Sequence, residues 1–276
     1  MQPIIMYGEP VKNKMFENWE PDKTAYLTIL SNGEDEAGKV YVRNKIEECN
    51  RRGIKARKFD ISLLNKKEVM DLIHDVINDT GEFGPLQKNY IILQKPIPNH
   101  LKPYEYLLDN EIETHKECDI DAFCGDLSND FYTPATPLGI MKMLDYYIGL
   151  KNLDGMDAVV IGRSKIVGKP IADLLTKANC TVTTCHSHTE NLPWYTKHAK
   201  LIISAIGKPK FITSWYIGDN RPIVVDVGIN RDENFKLCGD VDFDSVKDKC
   251  SYISPVPKGV GVLTVASLIY KMGNKV

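Results

Sequence analysis

Asp157-Ala-Val-Val-Ile161 leads directly into Gly162-Arg-Ser-Lys-Ile-Val-Gly168-Lys-Pro170, and this stretch decides the fold. Its first five residues have the apolar, β-branched composition of a buried strand. A helical pattern over Gly168–Ala178 follows the glycine-rich turn. A strand, a tight turn and a helix N-terminus that faces phosphate are typical of a dinucleotide site. Ser164 occupies the place of the middle glycine of G-x-G-x-x-G, so the context carries this prediction more than the glycine spacing does.

The next strand indicates which nucleotide binds. NAD sites usually carry an acid about 20 residues beyond the turn, where it binds the ribose 2′-hydroxyl. Here Thr181–Cys185 ends in His186-Ser187-His188-Thr189, and the first acid is Glu190. Because Arg163 adds a positive charge in the turn, this pocket suits a 2′-phosphate and favours NADP over NAD. We expect no metal, since neighbouring strand residues such as Cys185 and His186 point to opposite faces.

Strands and helices alternate on both sides of this turn, which predicts an α/β fold with parallel sheets. The length of 276 residues favours two domains of about 100–200 residues each, and Leu150–Gly155 is the best candidate hinge. Thr136 and Pro137 have the residue types of a helix N-cap and first position. The predicted strands are Thr24–Leu30, Ile54–Phe59, Tyr90–Leu93, Ala158–Ile161, Thr181–Cys185, Leu201–Ala205 and Ile223–Asp226. The predicted helices are Asp35–Arg52, Asn65–Asn78, Pro103–Asn110, Thr136–Leu150, Gly168–Ala178 and Val262–Met272.

Composition narrows the location and the partners. The formal net charge of −2 gives no reason to expect nucleic acid as a partner. Apolar runs such as Ala158–Ile161 are far too short to cross a bilayer, and no basic segment precedes an apolar one at the N-terminus. The seven cysteines are irregularly spaced, without C-x-x-C, so a disulfide framework is not expected. We therefore expect a cytoplasmic protein that does not bind membranes.

Polar residues in the first half suggest acid/base chemistry. Tyr41 and Lys45 lie four residues apart on one predicted helix face, and a lysine desolvated beside a ring can act as an acid or base. Short-chain dehydrogenases also carry Tyr-x-x-x-Lys, but after the glycine loop, whereas here it comes first. Gln94 follows a strand at the edge where ligands bind in α/β sheets. A carboxylate of Asp119-Ile-Asp121 could accept two hydrogen bonds from a guanidine-like edge of a heterocycle. Each of these residues could alternatively have only a surface or turn role.

Ten segments together resemble the bifunctional methylenetetrahydrofolate dehydrogenase/methenyltetrahydrofolate cyclohydrolase family, in the family's order and spacing. They are Tyr41–Lys45, Gln94–Pro98, Asp119–Asp121, Thr136–Gly139, Gly162–Pro170, Cys185–Thr189, Ser204–Pro209, Asp226–Asn230, Gly239–Phe243 and Pro255–Gly261.

This resemblance implies two α/β domains with a folate cleft between them. Residues 1–143 plus 256–276 would form the N-terminal catalytic and folate-binding domain, completed by the C-terminal helix, and 144–255 the NADP-binding Rossmann domain. Members are generally homodimers that associate through the nucleotide domains. They oxidise 5,10-methylenetetrahydrofolate with NADP⁺ and hydrolyse the methenyl product to 10-formyltetrahydrofolate, a step of one-carbon metabolism and purine biosynthesis.

The resemblance also assigns roles to residues. Lys45 matches the catalytic lysine, Tyr41 would stack on the folate, Gln94 would hydrogen-bond near Lys45, and Asp121 would bind the pterin. The loop Pro255–Gly261, with Pro255, Pro257 and Gly259, would close over the pterin. Positions expected to hold the cofactor are Gly162, Arg163, Ser164, Ile166, His186, Ser187, Ile206, Ile229 and Thr264.

The chain departs from the family pattern at several positions. The departures are Gly38 for serine, Lys95 for leucine, Cys118 for lysine, Ala122 for glycine, Ala135 for cysteine, Lys258 for glycine, Val262 for proline and Leu263 for methionine. Lys95 in the cleft would repel the Lys45 ammonium and lower its pKa; alternatively it would pair with a folate glutamate tail or face solvent. Because repulsion by Lys95 would lower the Lys45 pKa, we expect an altered balance of the two activities.

Three other functions stay open on the sequence. A shikimate-dehydrogenase-like enzyme would explain the Rossmann half but not Tyr41, Lys45 and the Pro255–Gly261 loop together. A family member with only one activity would keep the same fold. A folate- or nucleotide-binding protein without turnover would bind both ligands and convert neither.

Overall fold

The computed structural model describes residues 2–78, 88–122 and 126–274. Its strands are β1 Ile4–Ile5, β2 Glu20–Pro21, β3 Ala25–Ser31, β4 Lys55–Asp60, β5 Lys88–Leu93, β6 Asp157–Ile161, β7 Thr181–Cys185, β8 Leu201–Ser204, β9 Ile223–Asp226, β10 Asn230–Arg231, β11 Leu237–Cys238, β12 Tyr252–Ile253 and β13 Gly273–Asn274. Its α-helices are α1 Gly8–Met15, α2 Glu36–Arg51, α3 Lys66–Ile77, α4 Glu105–Thr114, α5 Ala135–Ile148, α6 Gly168–Lys177, α7 Leu192–His198, α8 Phe243–Val246 and α9 Val260–Tyr270.

The described chain divides into two compact units. Unit one comprises Met1–Glu17 and Pro134–Ser267, and unit two comprises Asn18–Thr133 and Leu268–Val276. This division differs from the boundaries expected at 143/144 and 255/256. The N-terminus joins unit one because β1 pairs in parallel with β12 and because the Tyr147 hydroxyl donates to the Tyr7 carbonyl (3.0 Å).

Helix α5 joins unit one as well, because its apolar face packs in the unit's core. Met143 and Leu144 lie there with Val160 and Ile203 of the sheet. The predicted hinge at Leu150–Gly155 is wrong: Leu150–Leu153 forms a 3₁₀ turn inside unit one, and Leu153 is fully buried. The chain passes between the units three times: at Glu17–Asn18, at Thr133–Pro134 and, within α9, at Ser267–Leu268.

Unit one is built on a six-stranded sheet in the order β1-β12-β9-β8-β6-β7, with every pair parallel. Alternate residues of β6 enter two different cores: Ala158 and Val160 face α5 and α6, and Val159 and Ile161 the opposite layer. Burial on both faces explains the continuous apolar runs that identified these strands. The chain runs from β6 out to the edge strand β7 and returns to β8 on the other side of β6. This reversal opens a crevice beyond the carboxyl ends of β6 and β8, where ligands bind in such sheets.

Unit two contains a three-stranded parallel sheet in the order β4-β3-β5. All seven residues of the central strand β3 are buried. Residues of β3 and β5 pack against α3 and α4 through Val69, Ile73 and Leu108. Asn65 is the N-cap of α3 and forms a capping box with Glu68. The sequence predicts the start of this helix at the same residue. The reversal of strand order lies here at β3 and β5, so the loops after these strands are the expected ligand edge.

Most predicted elements are confirmed to within two residues at their ends. The prediction that Thr136 is a helix N-cap is wrong. Helix α5 begins at Ala135 with Pro134 as its N-cap, so Thr136 lies inside the first turn. Its hydroxyl is 3.0 Å from that of Thr264.

Two further observations bear on the composition-based expectations. Cys49, Cys118, Cys180, Cys185, Cys238 and Cys250 are free and buried; Cys124 lies outside the described residues. Burial raises the pKa of Cys49 to about 12, so this thiol is inert. In the described part of the chain, no helix combines the length and apolarity needed to cross a membrane.

Candidate active site

The glycine turn after β6 is shaped by two close backbone approaches. Gly162 has φ +124°, and a Cβ there would lie 2.2 Å from the Ala205 carbonyl oxygen. A Cβ at Gly168 would lie 2.3 Å from the Gly162 carbonyl oxygen. Both positions therefore require glycine. The turn brings the N-terminus of α6 to the crevice, as the sequence predicted.

Ser164 has a structural role in place of the missing glycine. Its hydroxyl accepts hydrogen bonds from the backbone N–H groups of Val167 (3.3 Å) and Gly168 (3.2 Å). These donors lie at the start of α6, so the serine caps the helix from within the turn. Arg163 and Ile166 are exposed beside it and are accessible to a ligand.

The residues after β7 form a tight polar turn. The His186 backbone N–H donates to the Thr189 hydroxyl (2.8 Å), and the His188 N–H donates to His186 Nδ1 (3.2 Å). Ser187 is exposed at the tip of this turn. Within the ranges that the structure covers, no group of three or more His, Cys, Asp or Glu side chains could hold a metal ion.

Two buried carboxylates, which the sequence analysis did not select, organise the loops on the other side of the crevice. Asp240 is fully buried, and its carboxylate accepts from the N–H groups of Ile206 (2.6 Å) and Lys208 (3.0 Å) and from the Asn230 amide (2.8 Å). Its interactions therefore hold the loops after β8 and β9. The sequence does carry a signal that Asp240 is buried. It lies between Gly239 and the apolar Val241, a setting that does not suggest a surface role.

Asp226, at the end of β9, supports Asp240. Its carboxylate accepts from the N–H groups of Gly228 (3.0 Å), Asp240 (2.9 Å) and Val241 (2.9 Å). Burial raises the pKa of Asp226 to about 7, and the Asp240 charge acts in the same direction, although the N–H donors oppose it. These two acids together fix the backbone around Ile206 and Ile229, the predicted cofactor contacts.

The predicted pterin loop 255–261 is held to the N-terminal segment of unit one. The Gly8 N–H donates to the Lys258 carbonyl (2.8 Å), and a Cβ at Gly259 would lie 2.3 Å from the Pro255 carbonyl oxygen. Pro257 is exposed on this loop. Lys258 has φ +78°, a left-handed conformation that favours glycine. The lysine is therefore strained where the family pattern has glycine.

In unit two, α2 and the loop after β5 bring Lys45 and Gln94 together. Lys45 is 9% exposed, and its Nζ donates to Gln94 Oε1 (2.9 Å). The Gln94 amide is itself oriented: Nε2 donates to the Lys95 carbonyl (2.9 Å), and the backbone N–H donates to the Leu30 carbonyl (2.8 Å). Tyr41, one turn before Lys45, is 39% exposed and presents an accessible ring. The structure thus joins a buried ammonium, an oriented amide and an aromatic ring on one edge.

Lys95 does not repel the Lys45 ammonium as a free charge. Its Nζ forms ion pairs with Asp109 (2.7 Å) and Glu105 (2.8 Å) of α4. Burial raises the pKa of Asp109, and the Lys95 ammonium opposes this rise. Because two carboxylates of the chain already compensate Lys95, its expected effect on the balance of activities through Lys45 loses its physical basis.

A cavity of about 520 Å³ opens at the same edge of unit two. It is lined by Asn32, Glu34, Asp35, Ser62, Pro96, Ile97, Pro98, Asn99, His100 and Lys102. These residues follow the carboxyl ends of β3, β4 and β5, and the volume is that of an ordinary ligand pocket. Asp121 lies farther along the same unit, where it lines a small cavity with Asp109 and Asp119.

Comparison with known proteins identifies both halves of the chain. The family model described as tetrahydrofolate dehydrogenase/cyclohydrolase, NAD(P)-binding domain, matches residues 134–276, and the catalytic-domain model of the same name matches 7–119. The chain is 40% identical over 268 residues to the bifunctional protein FolD of Campylobacter hominis, covering 95% of this chain and 90% of that relative. It is 44% identical over 250 residues to FolD of Campylobacter concisus, covering 88% and 84%.

Solved structures show the same similarity. The bifunctional enzyme FolD of Campylobacter jejuni is 35% identical with a TM-score of 0.81, covering 96% of this chain and 94% of that chain. The bifunctional dehydrogenase/cyclohydrolase of Thermoplasma acidophilum is 27% identical with a TM-score of 0.82, covering 97% of each.

Proposed function

The chain belongs to the tetrahydrofolate dehydrogenase/cyclohydrolase family, and on this premise we propose that it catalyses two successive reactions. It oxidises 5,10-methylenetetrahydrofolate with NADP⁺ and hydrolyses the methenyl product to 10-formyltetrahydrofolate. The observation that carries the proposal is the Lys45–Gln94 contact of 2.9 Å, which lies in the part matched by the catalytic-domain model.

The oxidation requires alignment more than acid/base catalysis. Bound NADP⁺ would supply the acceptor for the hydride of the methylene carbon, so that the products would be NADPH and the methenyl cation. Unit one binds the cofactor along the crevice beyond β6 and β8. The loops held by Asp226 and Asp240 carry Ile206 and Ile229 to the nicotinamide half. Thr264, on α9, is the third residue proposed to contact that half. The loop 255–261 covers the pterin.

NADP is favoured over NAD by the groups at the far end of the crevice. Arg163 and Ser187 are exposed, one in the glycine turn and the other after β7. Together they offer a guanidinium and a hydroxyl to a 2′-phosphate, and His186 lies beside Ser187. An acid at this place would repel that phosphate.

The hydrolysis is where Lys45 acts. Water adds to the methenyl carbon, the bond from that carbon to N5 breaks, and one proton is released. Lys45 moves protons between the water and N5 while Gln94 holds its Nζ at 2.9 Å. Tyr41 stacks on the folate, and Asp121 accepts hydrogen bonds from the amino-pyrimidine edge of the pterin.

The assembly is a cytoplasmic homodimer formed through the nucleotide-binding unit, and its product supplies formyl groups to purine biosynthesis. β7 is an edge strand of the six-stranded sheet, pairing only with β6 among the described strands. An edge with free N–H and C=O groups suits pairing with a second copy. Sedimentation equilibrium measures the mass of the assembly and so tests the dimer. The mass of a monomer at all protein concentrations would contradict this proposal.

Two spectrophotometric assays test the function. One follows oxidation of methylenetetrahydrofolate with NADP⁺ and, separately, with NAD⁺; the other follows hydrolysis of methenyltetrahydrofolate. We expect both activities, with a higher kcat/KM for NADP⁺. Oxidation without hydrolysis would instead indicate a dehydrogenase alone. Binding of both ligands without turnover would indicate a binding protein.

A further inference from the structure

Lys271 is a buried lysine that the proposed reaction does not use. It follows the last residue of α9 and is 7% exposed. Its Nζ donates to the backbone carbonyl of Ile120 (2.9 Å), 151 residues away in the sequence. Lysines are rarely buried so deeply unless a specific partner compensates the cost. The target matters because Ile120 directly precedes Asp121.

The backbone on both sides of Lys271 is held in unit two. The Trp19 indole N–H donates to the Tyr270 carbonyl (2.9 Å), and the Asp22 N–H donates to the Met272 carbonyl (3.0 Å). β13 then pairs with β2 directly after Met272. The backbone from which the Lys271 side chain extends is therefore held in place on both sides. The position of its ammonium is determined by this backbone as well as by the flexible side chain.

The other end of the contact is a turn with its own restraints. The Ile91 N–H donates to the Cys118 carbonyl (2.9 Å), which attaches the turn to β5. The Asp119 carboxylate accepts from the Ala122 N–H (2.9 Å). Ala122 has φ +58°, in the left-handed region, where alanine is held only against strain.

These contacts fix both peptide planes that flank Asp121. The Ile120 carbonyl belongs to the peptide bond before Asp121, and the Ala122 N–H belongs to the peptide bond after it. Since peptide units are planar, restraining both planes sets the direction of the Asp121 Cα–Cβ bond. Lys271 restrains the first plane, and Asp119 restrains the second.

We propose that Lys271 is a positioning residue for the substrate: by holding the Ile120 carbonyl, it directs the Asp121 carboxylate toward the pterin of a tetrahydrofolate. This rests on the proposed function, in which Asp121 binds that ring. The C-terminal residues therefore contribute to folate affinity without touching the folate.

A double-mutant cycle tests this role. Lys271→Met keeps the length of the side chain but removes the donor, and Asp121→Ala removes the group that it positions. Calorimetry gives Kd for tetrahydrofolate and for NADP⁺ in the wild type, both variants and the double variant. We expect Lys271→Met to weaken tetrahydrofolate binding about tenfold, the size of one lost charge-assisted hydrogen bond. The Kd for NADP⁺ changes less than twofold, and Lys271→Met adds less than twofold in the Asp121→Ala background.

Controls separate positioning from general destabilisation. Lys67→Met, at an exposed lysine of α3, leaves both Kd values unchanged, and Lys271→Arg, which keeps a cationic donor, retains most of the affinity. Should Lys271→Met not fold, Lys271→Gln replaces it in the cycle. An equal loss of affinity in the presence and absence of Asp121 would overturn the proposal, as would no loss at all. Because binding is measured directly, a wild type that binds tetrahydrofolate without turnover would refute the proposed function and still test Lys271.

Discussion

Replacing Asp240 by asparagine tests whether one buried carboxylate supports the cofactor loops. Each carboxylate oxygen accepts two hydrogen bonds: Oδ2 from the Ile206 N–H and the Ser204 hydroxyl, and Oδ1 from the Lys208 N–H and the Asn230 amide. An asparagine offers one acceptor oxygen. Its NH₂ group takes the place of the other oxygen and faces two donors that it cannot accept from.

The magnitude follows from the donors that lose their acceptor. A buried donor left unsatisfied costs about 1–3 kcal/mol. A hydroxyl or an amide can rotate to relieve its clash, but at least one backbone N–H, of Ile206 or Lys208, loses its partner. We therefore expect Asp240→Asn to lower the free energy of unfolding of unit one by about 2 kcal/mol.

Urea unfolding followed by circular dichroism measures the stability, and initial rates measure KM for NADP⁺. We expect KM for NADP⁺ to rise at least fivefold, because Ile206 moves with its loop, while KM for the folate stays within twofold. Asp244→Asn is the matched control, since that carboxylate is exposed and pairs with Lys247 on the surface. A loss of stability no larger than that of the control would refute the reasoning, and so would an unchanged KM for NADP⁺ in a destabilised variant.

Three further predictions follow from the same structure. The Asp226 pKa of about 7 lies above that of an unfolded aspartate, so the folded state retains a proton that the unfolded state releases. The free energy of unfolding therefore falls by about 1.4 kcal/mol per pH unit between about pH 5 and pH 7 relative to Asp226→Asn; parallel pH profiles in urea titrations would contradict this. Lys258→Gly relieves the left-handed backbone and raises the free energy of unfolding by about 1 kcal/mol, whereas Lys258→Ala gains nothing in the same titration; equal values for the two variants would exclude strain. Lys95→Leu leaves Asp109 without its ammonium and lowers the free energy of unfolding by about 1 kcal/mol, while the ratio of the two enzymatic rates stays unchanged; a shifted ratio would restore the repulsion hypothesis for Lys95.

The sequence predicted the sheet strands well because burial on both faces leaves a continuous apolar run. Val159 and Val160 face opposite cores, and both are apolar. Local glycine geometry was also predictable, since Gly162 and Gly168 lie where a strand must turn sharply into a helix. The short strand β1 was not predicted, because two residues carry no periodicity and pair with β12 from the far end of the chain.

The site was predictable where residue spacing or a strand end marks a side chain, and not where neither does. Lys45 and Gln94 were selected from helix spacing and strand ends, and the structure joins them. Asp240 and Lys271 were missed because neither residue spacing nor a strand end marks them, and their partners, 10–36 and 151 residues away, include backbone groups that carry no side-chain signal. The boundary near Pro134 was missed because the apolar face of α5 does not show which sheet it packs against.

The central claim is that Lys45 carries the hydrolysis while hydride transfer does not need it. Lys45→Met keeps the length of the side chain and removes the ammonium that contacts Gln94. The direct measurement is kcat for hydrolysis of methenyltetrahydrofolate and kcat for NADP⁺-dependent oxidation of methylenetetrahydrofolate in this variant. We expect hydrolysis to fall at least 100-fold, the typical size of a general acid/base contribution, with oxidation retained within about tenfold. Hydrolysis at the wild-type rate in a folded Lys45→Met protein would contradict the claim.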